Sequence, residues 1–209
     1  MKTLGIIGCG HLGQQIANIS VYDNHYDDVV FFDDFSSGKK INGFSVIGKI
    51  EDVEREFKNN KFSHLIIGIG YKHLKLRLEL FLHYWSKVPF GKIIHSSCYM
   101  DRSSIIGDGC VIYPRTVIDF NVLIRENTIV NSNCTLSHNS IIGQNCFISP
   151  NSAIAGFVNI SNSCFIGMNS TIIDNVSIQS NVFIGAGTVV TKDILSKGKY
   201  VGNPMRKIE

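Results

Sequence analysis

A single histidine stands out in the second half of the sequence. His138 is the only histidine within residues 96–209, a stretch rich in Asn, Ser, Gly and aliphatic residues. An imidazole can take up a proton near neutral pH, so a histidine here is a candidate general base. Asn139 follows it directly and can hold the ring by a hydrogen bond. A solvated histidine at a surface corner, without a chemical role, is the alternative interpretation.

A second group of residues, near the beginning of the sequence, indicates phosphate binding. Gly8, Gly10 and Gly13 form a GxGxxG pattern between a predicted strand and a predicted helix, and His11 lies inside it. Such a turn presents backbone N–H groups and the positive end of a helix to a phosphate or diphosphate. The alternative is a tight strand-to-helix turn that binds nothing.

An acidic pair follows the second predicted strand. Asp33 and Asp34 lie 20 and 21 residues after Gly13, a spacing that suits acceptors for a ribose or a base. The same pattern suits an NAD-dependent oxidoreductase, which stays open as a more distant alternative. Only about 90 residues precede the repeat described next, which is half of a full doubly wound domain. We therefore favour a nucleotide-linked ligand over NAD.

The residues around His138 belong to a repeat of six residues. Every sixth residue from Ile106 to Val190 is Ile, Leu or Val, fifteen in all. Four positions after each of these comes Ser, Thr, Cys or Val, except in the last unit, and three positions after comes Asn in nine of the fifteen units. Asn tolerates the left-handed backbone of a tight corner. This period predicts short strands joined by corners, with three units in each triangular coil and five coils in residues 105–194.

Strands and helices alternate in the first half of the sequence. Strands are predicted at TLGIIG, VVFFDD and HLIIGIG, and helices at CGHLGQQIANIS, EDVEREFKNN and KHLKLRLELFLHYW. This alternation predicts a small Rossmann-like domain with a parallel sheet over residues 1–92. The fold class is therefore α/β plus β-solenoid. The second domain, residues 93–209, contains a parallel β-helix of about five coils and a C-terminal tail.

The composition limits the classes of function. The sequence has 209 residues, of which 44% are hydrophobic and 18% charged, and its formal net charge is +3. We expect a cytoplasmic protein without nucleic-acid or membrane partners, because the charge is mild and neither a signal peptide nor a spanning segment is recognisable. The six cysteines contain no CxxC pair and are expected to be reduced thiols. One histidine in the coils is too few for a zinc enzyme of this fold, so we expect no metal.

The two halves together resemble the sugar acetyltransferases of the NeuD/PglD type, in the hexapeptide-repeat, left-handed β-helix superfamily. The segments that carry the resemblance are GCGHLG, FFDD, LSHNSIIG and YVGNPMRKI. It implies a homotrimer that transfers acetyl from acetyl-CoA to the amine of a nucleotide-linked amino-sugar, for surface glycans such as the O-antigen of lipopolysaccharide. The implied acceptor is a 4-amino-4,6-dideoxy sugar such as GDP-perosamine, or a dTDP or UDP analogue. Transfer to a hydroxyl of sialic acid or another sugar is the alternative.

The resemblance also implies roles for particular residues. His138 would be the general base. Asn139 beside it would either hold the ring by a hydrogen bond or be only a corner residue of the repeat. Acetyl-CoA would lie beside Gly156, Met168, Ala186 and Lys192. The nucleotide-linked sugar would contact Gly8, Gly10, His11, Leu12, Asp33, Asp34 and Gly68. This sequence has Asn139 and Phe147 where members acting on UDP-bacillosamine precursors have an acidic residue and a second histidine, which argues against that substrate.

Overall fold

The structure, a computed structural model, describes residues 2–208 and divides the chain into two compact units, Met1–Ile93 and Ile94–Glu209. The sheet of the first unit contains β1 (Thr3–Ile7), β2 (Asp28–Phe32), β3 (Lys40–Ile41), β4 (Phe44–Gly48) and β5 (His64–Ile67), in the order β3-β4-β2-β1-β5. Its helices are α1 (His11–Tyr22), α2 (Val53–Lys58) and α3 (Leu74–Tyr84), with short 3-10 helices at Ile50–Asp52 and Tyr71–His73. The three strands and three helices predicted from the sequence are confirmed.

The register of the sheet brings the predicted binding residues to one edge. β1 is an inner strand and pairs in parallel with β2 and β5, so that Ile7 lies opposite both Phe32 and Ile67. Strands covered on both faces favour unbroken apolar runs, and Ile7, Phe32 and Ile67 are fully buried. The glycine turn, the acidic pair and Gly68 therefore follow three neighbouring strand ends.

The sequence analysis missed two strands of this sheet. β3 and β4 form an antiparallel hairpin, and β4 pairs in parallel with β2. The turn between them consists of Asn42 and Gly43, with φ values of 49° and 88°. An Asn-Gly pair between two short strands is a strong hairpin signal and could have revealed them.

The second unit winds through three sheets in turn, so that three successive strands make one coil. The strands are parallel except for a final antiparallel pair in the third sheet. The first sheet contains β7 (Tyr99–Met100), β10 (Val117–Ile118), β13 (Thr135–Leu136), β16 (Ala153–Ile154), β19 (Thr171–Ile172) and β22 (Val189–Val190). The second sheet contains β8 (Ile105–Ile106), β11 (Leu123–Ile124), β14 (Ile141–Ile142), β17 (Asn159–Ile160) and β20 (Ser177–Ile178). The third sheet contains β6 (Ile93–Ile94), β9 (Val111–Ile112), β12 (Ile129–Val130), β15 (Phe147–Ile148), β18 (Phe165–Ile166), β21 (Val182–Ile184), β23 (Gly198–Val201) and β24 (Arg206–Lys207).

The six-residue register is confirmed in the core of the coils. All fifteen predicted inward aliphatic residues, from Ile106 to Val190, are buried, with at most 5% of their surface exposed. The coils begin two strands earlier than predicted, because β6 and β7 already belong to the sheets. Within residues 2–208, the seventeen strands from β6 to β22 make nearly six coils at three strands per coil.

The corners have the predicted left-handed backbone. The nine asparagines at this position, Asn139 among them, have φ between 55° and 62°. The small inward residues also form hydrogen bonds. Their side chains donate to the backbone carbonyl groups of corner residues that come fifteen positions later in the sequence. Thr116 Oγ1 donates to Asn131 O over 3.0 Å, and Cys146 Sγ donates to Ser161 O over 3.2 Å. Ser, Thr and Cys thus provide hydrogen bonds to corner carbonyl groups that Val cannot provide.

Candidate active site

The glycine turn connects β1 to α1 in the first unit. Gly8 has a φ of +93°, and a Cβ on Gly13 would lie 2.0 Å from the carbonyl oxygen of Gly8. The helix can therefore begin directly against the turn only because Gly13 lacks a side chain. Gly68, after β5, packs against the same helix start, since a Cβ on Gly68 would lie 2.9 Å from the Cα of Gly13. The structure brings these three glycines together.

The start of α1 faces solvent. Gly10 is the N-cap residue in an extended conformation, and no side chain caps the helix there. Gly10 and His11 are exposed and Leu12 is half-buried. The N–H groups of the first helical turn have no acceptor within the helix, and they carry the positive end of its dipole. This arrangement suits a phosphate group.

The carboxylate of Asp33 accepts backbone hydrogen bonds beside the glycine turn. Its Oδ2 accepts a hydrogen bond from Cys9 N over 3.2 Å, and its Oδ1 accepts one from Phe35 N over 3.0 Å. Partial burial alone would raise the pKa of this carboxyl, but the hydrogen bonds from Cys9 and Phe35 outweigh it and hold the pKa below its usual value. Asp33 was predicted as an acceptor for a base or ribose, and the structure shows that both of its oxygens already have backbone partners.

Asp34 and Gln14 complete the surroundings of the turn. Asp34 is exposed, and its Oδ1 accepts a hydrogen bond from Ile50 N over 2.9 Å. Gln14 was not predicted from the sequence. Its Nε2 donates to Cys9 O over 2.8 Å, and its Oε1 accepts from Asn42 Nδ2 over 2.8 Å. Gln14 therefore connects the glycine turn to the β3–β4 hairpin.

His138 lies on the corner after β13 in the second unit, where its side chain is exposed. Asn139 Oδ1 lies 3.2 Å from Nδ1 of His138. An amide oxygen can only accept, so this contact places the hydrogen on Nδ1 and leaves the lone pair on Nε2. Asn139 has a φ of 60°, so the same residue forms the left-handed corner and contacts the imidazole.

Gly156 lies one coil beyond His138, directly against its ring. A Cβ on Gly156 would lie 2.6 Å from Cε1 and 2.8 Å from Nε2 of His138. The sequence analysis expected the missing side chain to leave room for acetyl-CoA. In the structure the imidazole of His138 occupies that space.

The residues expected to line the acetyl-CoA site lie on two edges of the coils. Gly156 and Lys192 follow β16 and β22 of the first sheet, on the same edge as His138, which we call the His138 edge. Met168 and Ala186 follow β18 and β21 of the third sheet and lie on a different edge. Met168, Ala186 and Lys192 are exposed. One chain brings Gly156 to His138 but places Met168 and Ala186 elsewhere.

A shallow groove of about 300 Å³ runs along the first sheet beside the His138 edge. It is lined by small residues together with Ile154, Ile172, Ile173 and Asp174, and it opens to solvent. The side chains that line it include Thr135, Ser137, Ala153, Ala155, Thr171 and Ile173. This groove can accept a narrow, flexible chain that lies along the axis of the coils.

Phe147 occupies the place where the resemblance implies a second histidine in some relatives. It lies on the third sheet with 8% of its surface exposed, and its ring stacks on that of Phe165 at a centroid distance of 6.0 Å. This position is therefore apolar and cannot exchange protons. Elsewhere in residues 2–208, no three side chains of His, Cys, Asp or Glu gather as a metal site requires.

Two family models match this chain. A model described as the PglD N-terminal domain matches residues 3–81. A model described as bacterial transferase hexapeptide (six repeats) matches residues 121–156 and 157–192. Among curated proteins, no sequence matches this chain.

Solved structures of similar fold cover the whole chain. The acetyltransferase domain of PglB from Neisseria gonorrhoeae FA1090 matches with a TM-score of 0.92 at 26% identity, over 100% of both chains. The same domain in complex with acetyl coenzyme A matches with a TM-score of 0.91 at 25% identity, over 99% of each chain. PerB from Caulobacter crescentus, in complex with CoA and GDP-perosamine, has the same fold, with a TM-score of 0.91 at 23% identity over 100% of this chain and 98% of that one.

The coils and the matched repeats define a transferase of the hexapeptide-repeat class, and its second unit is a left-handed parallel β-helix. With a PglD N-terminal domain ahead of the coils, the chain belongs to the NeuD/PglD-type sugar acetyltransferases. The predicted fold class and family are confirmed. The helices described within residues 2–208 are all too short or too polar to cross a bilayer.

Proposed function

We propose that this protein transfers the acetyl group of acetyl-CoA to the amine of a nucleotide-linked amino-sugar, with His138 as the general base. The observation that carries the proposal is the contact between Asn139 Oδ1 and Nδ1 of His138, which leaves the lone pair of Nε2 available. Membership of a sugar acetyltransferase family supports the reaction class. The PglB domain bound to acetyl coenzyme A and PerB bound to CoA and GDP-perosamine support the two substrates.

The reaction needs little more than this imidazole. The amine nitrogen attacks the thioester carbon, a C–N bond forms, and the C–S bond then breaks. Nε2 of His138 takes the proton that the amine sheds and returns it to the departing CoA thiolate. The N–H of Gly156 is a candidate donor for the tetrahedral oxyanion, because Gly156 lies against the imidazole.

The co-substrate fits the groove beside the His138 edge. Its pantetheine arm is narrow and flexible, and the small side chains of the groove leave room for it. Met168 and Ala186 lie on a different edge of the same chain, so they can join this site only from a neighbouring copy. We therefore propose a homotrimer with sites between chains, in which Lys192 meets the phosphates of CoA.

The nucleotide-linked sugar is placed at the glycine turn. The exposed start of α1 can hold the diphosphate, with His11 and Leu12 beside it. Asp34 is exposed and can accept a hydrogen bond from the base or ribose, whereas Asp33 acts chiefly by shaping the turn. This assignment refines the expectation that both carboxylates contact the nucleotide.

The reaction can be tested by incubating the protein with acetyl-CoA and a panel of UDP-, dTDP- and GDP-linked amino-sugars while thiol release is followed. We expect release with at least one amino-sugar of the 4-amino-4,6-dideoxy class. Mild alkali then distinguishes the products, because an O-acetyl ester is cleaved and an amide survives. Release only with sialic acid, and an alkali-labile product, would favour the O-acetyltransferase alternative. Reduction of NAD by a sugar, without thiol release, would favour the alternative of an NAD-dependent oxidoreductase.

The base is tested by His138→Ala and His138→Asn. We expect turnover to fall about 10²–10⁴-fold, as is usual on loss of a general base, while acetyl-CoA still binds. Gln144→Ala is the matched control, because Gln144 takes the same place on another corner of the repeat. If His138→Ala retained the turnover of the unchanged protein at neutral pH, His138 would not be the base.

The shared site is tested with mixed oligomers of His138→Ala chains and Ala186→Trp chains. His138 and Ala186 lie on different edges. In a mixed oligomer, some sites would therefore combine an intact His138 from one chain with an intact Ala186 from another, and we expect activity to return. Gly156 is unsuitable as the second lesion, because it lies against His138 of its own chain. A fully active monomer in sedimentation would contradict sharing.

A further inference from the structure

Phe157 departs from the pattern of the corners. It has a φ of 58° at the position where nine corners have Asn. Among residues 2–208, every other non-glycine residue with a positive φ is Asn, Arg or Ser. A bulky side chain is strained in this backbone region, where Asn is tolerated. A strained residue of this kind suggests a role beyond the fold.

Burial does not explain Phe157. The residue is 56% exposed, so the strain is not offset by a place in the core. The ring instead contacts His138, with centroids 5.1 Å apart and planes at 85°. Phe157 N also donates to His138 O over 3.0 Å, which fixes the two residues side by side on consecutive coils. The strained corner thus lies at His138, the only histidine within residues 96–208.

Three contacts together restrict the imidazole. Asn139 Oδ1 lies 3.2 Å from Nδ1, Gly156 leaves only the space that the ring fills, and the Phe157 ring packs edge to face against it. Asn139 sets the tautomer and Gly156 sets how closely the ring can approach the coil. Phe157 supplies the third contact, from the corner one coil beyond His138.

We propose that Phe157 is a positioning residue that holds the His138 ring in the orientation required for proton transfer. Proton transfer needs a heavy-atom distance of about 2.6–3.2 Å, so a ring that swings freely spends less time within reach of the amine. The proposal rests on His138 being the general base. Phe157 acts through His138 and takes no proton itself.

Phe157→Asn gives the corner the residue that the repeat prefers and removes the ring. We expect kcat to fall about 10-fold or more, with both KM values nearly unchanged and the melting temperature equal or higher. Phe157→Tyr keeps the ring and should restore kcat. Asn181→Phe is the matched control, because it places the same side chain at a corner with a φ of 62° away from the histidine. It should lower the melting temperature and leave kcat unchanged.

A second readout is independent of turnover. Side-chain NMR signals of His138, assigned by their loss in His138→Ala, should shift and show greater ring mobility in Phe157→Asn but not in Phe157→Tyr. If these signals and kcat stay as in the unchanged protein, Phe157 does not position the ring. A rise in the sugar KM at constant kcat would make Phe157 a substrate contact instead, and dissociation of the oligomer would make it an interface residue. Both results would overturn the proposal.

The two proposals fail separately. If His138→Ala remained active, the base would be misassigned, and the NMR signals would still decide whether Phe157 holds the ring. If His138→Ala were inactive and Phe157→Asn fully active, only the positioning role would be lost.

Discussion

The glycine turn of the first unit and the His138 edge of the second both depend on a glycine whose Cβ space is filled by another group. At Gly13 that group is the carbonyl oxygen of Gly8, which belongs to the backbone. At Gly156 it is the imidazole of His138, which is a side chain that can rotate away. A methyl group at Gly13 must therefore distort the fold, whereas a methyl group at Gly156 can be accommodated by moving the ring of His138, the proposed base. From this comparison we predict that Gly13 is needed for stability and Gly156 for the proposed reaction.

Gly13→Ala should have the largest effect. The added Cβ would meet the Gly8 oxygen at 2.0 Å, and we expect the free energy of unfolding of the first unit to fall by about 3 kcal/mol or more. The only tryptophan, Trp85, lies in this unit, so its fluorescence during urea unfolding reports the change. Gly10→Ala is the control, since nothing lies within 4 Å of its Cβ, and it should cost about 1 kcal/mol or less. Equal losses in both variants would contradict the packing argument.

Gly156→Ala should leave the fold intact and impair the reaction. The methyl group displaces the ring from the edge, and we expect kcat to fall about 100-fold with a small change in stability. Gly143→Ala is the opposite control, because its Cβ would lie 2.6 Å from the backbone carbon of Ser161. It should lower the melting temperature without reducing kcat per folded molecule. A stable and fully active Gly156→Ala would show that the ring position is unimportant.

Asn139→Gly separates the two roles of that residue. Glycine adopts the left-handed corner easily but cannot accept a hydrogen bond from Nδ1 of His138. We expect kcat to fall about 10-fold, a loss of one modest hydrogen bond in the transition state, while the melting temperature stays nearly constant. Asn181→Gly makes the same change at a corner with a φ of 62° that follows the second sheet, away from both edges of the proposed site, and should leave kcat unaffected. Equal kcat in the two variants would show that Asn139 only forms the corner and has no role in the reaction.

Asp33→Asn should have the smallest effect, and one that depends on pH. The pKa of Asp33 is lower in the folded state, so its stabilisation is present above the unfolded pKa of about 3.9 and is lost as the pH falls through the folded value. We expect the variant to be about 1 kcal/mol less stable at neutral pH and the difference to shrink near pH 3. Glu79→Gln removes an exposed charge from the same unit and should change little. A difference that is constant with pH would exclude the ionised carboxylate as the cause.

The coils were the more predictable region because their rules are local. Each strand pairs with the strand eighteen residues away, so one six-residue register fixes which side chains point inward from Ile106 to Val190. The start of the coils was missed because β6 and β7 place Ile94 and Met100 at the end of the stack, where burial is incomplete. The same register, with three units in each coil, also places Met168 and Ala186 on a different edge from His138. The sequence analysis nevertheless assigned them to one site with Gly156, because they have the same place in the six-residue repeat.

The details of both sites depend on contacts that no spacing reveals. The hydrogen bonds that Cys9 N and Phe35 N donate to Asp33 depend on how the ends of two neighbouring strands approach each other. The filling of the Gly156 space depends on the rotamer of His138. The residue types at these positions were recognised from the sequence, but their partners follow only from the folded geometry.

The eighteen-residue stacking also limits how the length of this protein can change. An insertion or deletion of eighteen residues adds or removes one complete coil and returns every later residue to its own edge. A change of six residues keeps the inward pattern but moves every later corner to the next edge, which would separate Lys192 from the edge that carries His138. Natural variants of this chain should therefore differ by whole coils or by loops that bulge from single corners.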